Sequence, residues 1–115
     1  DLVRSRGLGD VYKRQRPRSD LFLAGQITGV EGYVESIAIG LLAGINLYRY
    51  LSGQSLTVPP PGTMLGGLVK YLTTPNSSFA PMSANFGLLP YQKDRTKMVA
   101  DSLNRLKQWV SEEKI

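Results

Sequence analysis

The chain has 115 residues, and fourteen Lys and Arg against nine Asp and Glu leave a net charge of +5, with no His and no Cys. That length makes one small domain or part of a larger one, and 42% hydrophobic with 20% charged residues excludes collagen-like and wholly disordered chains. Lacking cysteine and histidine, the sequence holds no disulfide scaffold, no thiol nucleophile, no His-based triad and no Cys- or His-ligated metal.

Residues 1–20 carry Arg4, Arg6, Lys13, Arg14, Arg16 and Arg18 against three Asp, so most of the positive charge sits there and the body is near neutral. They show neither helical nor strand periodicity and read as a flexible arm. The string Asp10-Val11-Tyr12-Lys13-Arg14-Gln15 looks like translated adaptor sequence, so residues 1–20 read as non-native and are set aside from fold reasoning. Structured pattern begins at Leu21–Ala24, a short apolar run expected to be a buried strand. A glycine-spaced loop, Gly25 to Gly32, leads into the clearest helix, about Gly32 to Leu51. There Val34, Ile37, Ala38, Leu41, Leu42, Ile45 and Tyr48 predict one apolar stripe. Ser52-Gly53 closes it, with Gly53 suited to a left-handed cap. After Val58-Pro59-Pro60-Pro61-Gly62, Thr63 caps a short helix bearing Leu65, Leu68, Val69 and Leu72, ending near Thr73-Thr74-Pro75. Residues 75–92 are punctuated by Pro and Gly yet hold Phe79, Met82, Phe86, Leu88 and Leu89, so this segment should pack against something. A last helix, about Lys93 to Glu113, places Val99, Leu103, Leu106 and Val110 on one face, with Trp109 beside them. The longest apolar stretch, Ile37 to Leu47, contains Asn46 and falls short of the ~20 residues of a spanning helix. No apolar segment of secretory type follows the basic start, so a soluble, cytoplasmic chain is expected.

A strand running through a glycine loop into a helix N-terminus is a layout that binds anions and cofactors, because first-turn N–H groups lack intrahelical partners. Alone it is equally a tight strand-to-helix turn, and the loop lacks the G-x-G-x-x-G order of a dinucleotide fingerprint. Gly7-Leu8-Gly9 follows no strand and carries nothing.

The segment LFLAGQITGVEGYVES (21–36) closely resembles a stretch of the TrmFO family, the folate-dependent tRNA uracil-5 methyltransferases. The likeness continues through GLLAGIN (40–46), LGGL (65–68), YLT (71–73) and FAPMSANFGLLP (79–90), covering about residues 21–110 in order. The sister MnmG/GidA family, which modifies the tRNA wobble uridine, has a similar strand, loop and helix. Its loop typically reads GQINGTTGYEEA, where this chain has Thr28, Val30-Glu31 and Val34-Glu35-Ser36.

The resemblance implies an α/β segment, mostly helical, with one short strand and three helices. Residues 21–115 would form the C-terminal part of a glutathione-reductase-like Rossmann FAD-binding domain. The intact enzyme would use FAD, methylenetetrahydrofolate and NAD(P)H to make 5-methyluridine in the tRNA T loop. The family's catalytic cysteines are absent, so the chain alone should be inactive, and its partners would be tRNA and the missing N-terminal part of the same FAD domain. No metal and no membrane are implied. Cofactor contacts would fall on Gly25, Gln26, Gly29, Val30, Glu31, Gly32 and Tyr33. The helix beginning near Gly32 would aim its N-terminus at the flavin pyrimidine edge. Tyr33 either lies beside the flavin or pterin ring or is a surface tyrosine; Glu31 either orients a folate amine or caps the helix; and Glu35 is equally a solvated acid. Asn85 and Gly87 are candidate folate or flavin contacts. Arg95, Lys97, Arg105 and Lys107 either touch tRNA phosphates or form a solvated face. The alternatives are an MnmG/GidA-type enzyme and a small non-catalytic RNA-binding module. A strand at Leu21–Ala24 without a partner in the chain would leave backbone groups unsatisfied, so a loosely folded chain is expected.

Overall fold

Three helices account for most of the ordered backbone in the computed structural model, which describes residues 21–74 and 80–115. They are α1 (Tyr33–Leu51), α2 (Met64–Thr73) and α3 (Arg95–Glu113), with single 3₁₀ turns at Gln26–Thr28 and Phe86–Leu88. Pro75 and Phe79, together with the basic arm 1–20, lie outside the described residues.

The helix ends follow local chemistry. α1 stops at a two-bond left-handed cap: Gly53 has φ +73°, its N–H donates to Tyr50 O, and Gln54 N–H donates to Arg49 O at 2.8 Å. The Thr63 hydroxyl accepts Gly66 N–H at 2.9 Å to start α2. Asp94, not Lys93, opens α3, its carboxylate taking the N–H groups of Thr96 and Lys97.

The core is Val30, Ile39, Leu42, Leu68, Val69 and Leu72, flanked by Ala24, Val58, Leu65, Tyr71, Met82, Leu88 and Trp109. α2 approaches its neighbours closely because it has no side chains at two positions. A Cβ on Gly66 would strike the carbonyls of Pro59 and Pro60, and one on Gly67 would strike the carbonyl of Leu88. Asn46 is fully buried and fully paired, donating to Thr57 O at 2.8 Å and Leu42 O at 3.2 Å while accepting Thr57 N–H at 2.7 Å. Trp109 Nε1 donates to the Thr57 hydroxyl in the connection after α1, Ser102 Oγ accepts Met64 N–H of α2, and Arg49 of α1 pairs with Glu113 at 3.1 Å, so α3 is tied to both other helices.

Three expectations are corrected. Leu21–Ala24 forms no strand segment; only Phe22 makes a single-residue bridge, and among the described residues there is no sheet. The stripe read from α1 is only partly inward: Leu42 is buried and Ala38 and Ile45 are half-buried, but Val34, Ile37, Leu41 and Tyr48 are 66–75% exposed, and Ile39, Ala43 and Asn46, outside the stripe, are buried. α1 is apolar on two faces, and hydropathy cannot choose between them. On α3, Met98 and Ser102 are buried, Ser102 Oγ accepting Met64 N–H, while Val99 and Leu103 are exposed and Leu106, Trp109 and Val110 are half-buried.

Candidate cofactor-binding loops

The glycine loop is shaped from within. Gly25 (φ +83°) and Gly29 (φ +99°) bracket the first 3₁₀ turn in conformations that L side chains rarely adopt. Between them, Thr28 N–H and Oγ1 both donate to Gly25 O, at 3.0 and 2.7 Å. The turn therefore holds itself, with Thr28 inward and Gln26 and Ile27 outward.

A second loop, fifty residues on, docks against it. Glu31 N–H donates to Met82 O at 3.0 Å and Met82 N–H donates to Gly29 O at 2.9 Å, an isolated parallel bridge centred on Val30 and Met82. Beyond the bridge, Ala84 N–H donates to a Glu35 carboxylate oxygen at 2.7 Å. Asn85 then turns the chain, its side chain accepting Gly87 N–H at 2.8 Å and donating to Ser83 O at 3.0 Å. Phe86 is not core: it is partly exposed, with the Arg95 guanidinium 4.8 Å above its ring.

The residues named for cofactor contact are thus brought together, in different roles. Val30 is 1% exposed and belongs to the core, so it can offer a ligand only its backbone. Tyr33 is 86% exposed, and Gln26 and Glu31 are also exposed. Asn85 and Gly87 are exposed and bonded to one another. The residue that sequence reading undervalued is Glu35. Its carboxylate folds over Gly32, where a Cβ would collide with it, and its bonds to Ala84 N–H and to its own N–H hold it below the ordinary carboxylate pKa. The start of α1 is therefore served in part by the chain's own anion. No local signal announces this, since the partner is forty-nine residues away.

Where Gly25 would carry a Cβ there is open space within 4 Å, beside the exposed Gln26, so the backbone there is accessible. The four basic residues of α3 do not form one patch: at about 100° per residue they spread around much of the helix. Among the described residues no cluster of three or more acidic groups suits a metal, and no helix is long and apolar enough to cross a membrane.

Comparison with known proteins finds a family model and several relatives that this chain resembles. The family model described as "Glucose inhibited division protein A" matches residues 1–55. The methylenetetrahydrofolate–tRNA-(uracil-5-)-methyltransferase TrmFO of Halalkalibacterium halodurans is 58% identical over 87 residues, spanning 75% of this chain and 19% of that protein. The protein of the same name from Persephonella marina is 55% identical over 85 residues, 74% of the chain and 19% of its own length. The one from a Sulfurihydrogenibium species is 41% identical over 105 residues, 84% of the chain and 24% of its length. The chain is TrmFO-like. It spans about a fifth of the length of these TrmFO relatives.

Proposed function

We propose that this chain is part of a folate- and FAD-dependent tRNA methyltransferase that makes 5-methyluridine in the T loop, and that its paired loops, Gly25–Glu35 and Met82–Gly87, border the flavin and folate sites. The observation that carries this reading is the bridge between Val30 and Met82. It joins two separated TrmFO-like motifs into one surface, with core residues inward and Gly25, Gln26, Tyr33, Asn85 and Gly87 outward. High identity to proteins of that name supports it.

In this reading Gly25 lets backbone approach the cofactor, Gly29 turns the chain and holds the second loop through its bond from Met82, Gln26 and the Tyr33 ring flank the cofactor, and Glu35 fixes the second loop against the first. FAD, when bound, supplies the reducing equivalents that bring the folate-borne carbon to the methyl level, with NAD(P)H as the upstream reductant. Stacking of Tyr33 on a flavin or pterin ring would contribute about 0.5–1.5 kcal/mol beyond area. The exposed apolar side of α1, Val34, Ile37, Leu41 and Tyr48, packs against the N-terminal part of the same FAD domain. Apolar surface in one contiguous stripe is unusual unless something covers it. The protein would act in the cytoplasm, where its tRNA substrate is processed.

The test is a chimera in which residues 21–115 replace the aligned segment of the Halalkalibacterium halodurans relative. It should form 5-methyluridine in a tRNA transcript when given methylenetetrahydrofolate and NAD(P)H. A folded, flavin-loaded chimera that forms none overturns the proposal.

A further inference from the structure

A groove of about 630 Å³ runs between α2 and Arg105 of α3. Its walls are the Pro60–Gly62 turn and the Leu88–Pro90 segment, and its floor is backbone, because Gly67 lets Leu88 pass directly against α2. Among the described residues two charged side chains line it, Lys70 from α2 and Arg105 from α3, and no carboxylate does. Both are exposed, and neither has an ion-pair partner among the described residues. Arg105 is nonetheless placed: its guanidinium lies on Gly62, where a Cβ would come within 2.6 Å of Nη1. Lys70 stands in the last turn of α2, where a cation is favoured by the helix dipole, but Arg105 is in mid-helix and has no such reason to be there.

We propose that this groove binds backbone phosphates of the tRNA, with Lys70 and Arg105 each neutralising one. The proposal rests on the tRNA methyltransferase reading for the identity of the RNA, but the groove itself rests on its charge and shape. Two unpaired cations from different helices, held over proline-stiffened walls, form a concave positive strip, the electrostatic footprint of a phosphate backbone. Arg105 offers a planar fork for bidentate contact with phosphate oxygens, and Lys70 a point charge. Of the four α3 cations suggested by the sequence, only Arg105 belongs to this groove.

The experiment is fluorescence anisotropy of the 115-residue chain with a labelled, unmodified tRNA transcript, between 50 and 200 mM salt. Lys70→Ala/Arg105→Ala should flatten the dependence of log K on log salt by about 1.4–1.8, the value for two phosphate contacts. Lys93→Gln/Lys114→Gln, equal in charge removed, should leave the slope near that of the unaltered chain. Lys70→Arg/Arg105→Lys should restore the lost slope, and circular dichroism should show the same helix content throughout. If the doubly truncated variant keeps the parent slope, or if the chain binds no RNA, the groove proposal is overturned. A parent slope kept by the double truncation, together with a preference for tRNA over an unrelated hairpin, overturns the groove but keeps the tRNA reading. A lost slope with no such preference supports the groove and counts against that reading.

Discussion

The Glu35 carboxylate accepts the Ala84 N–H at 2.7 Å, joining the first turn of α1 to a loop forty-nine residues later. The bond, together with one to its own N–H, lowers the Glu35 pKa. Because the folded value lies below the ordinary one, the contribution to stability is complete above the ordinary carboxylate pKa and is lost as pH falls through the folded pKa. Hydrogen exchange should therefore show the Ala84 amide protected near neutrality and released in acid. In Glu35→Gln that pH dependence should vanish, since the amide oxygen still accepts but does not titrate.

Asn46 and Thr57 give a prediction about stability. Asn46→Leu would orphan the buried N–H and C=O of Thr57, at about 1–3 kcal/mol for each unsatisfied group. Asn46→Asp should also destabilise, because a carboxylate oxygen would then face the carbonyls of Thr57 and Leu42. Urea unfolding should show both variants below the parent, with helix content retained at zero denaturant.

Four glycines on helices should respond oppositely to alanine. Gly66→Ala and Gly67→Ala push a Cβ into backbone carbonyls and should cost about 1–3 kcal/mol by overpacking. Gly40 and Gly44 have nothing within 4 Å of a built Cβ, so alanine there should stabilise the isolated chain by up to about 1 kcal/mol. In the chimera with the full-length relative, the Gly40 and Gly44 substitutions should lose that benefit or become destabilising if the rest of the FAD domain lies against this side of α1. Thermal unfolding of both backgrounds checks the change of sign.

Helix ends were legible because they are set within a few residues. Gly53 supplies the positive φ, and Thr63 the hydroxyl for Gly66 N–H, whatever surrounds them. Faces were not legible, because they depend on partners distant in sequence. Nothing local marks Asn46 as buried until its amide meets Thr57, and Val34, Ile37 and Leu41 read as core beside Leu42 until the fold turns Ile39 inward instead. The glycine loop is singled out as a candidate cofactor border by its family resemblance, whereas its coupling to Met82 and Ala84 is a long-range pairing that no local pattern carries. The expected strand failed for a related reason: Leu21–Ala24 has a strand's composition, but a ladder needs a neighbour, and no neighbouring strand is present among the described residues.

The central claim is that the glycine loop borders FAD, and its most direct test is the FAD content of the chimera carrying Gly25→Val beside that carrying Gly53→Val. Both glycines have positive φ and open space where a Cβ would go, so both substitutions strain the backbone and neither creates a clash, Gly25, at φ +83° and ψ −159°, being strained the more. Only Gly25 lies on the paired loops. The account predicts that the unaltered chimera and Gly53→Val purify with FAD, and that Gly25→Val is folded but depleted of it. Full FAD retention by Gly25→Val would contradict the account.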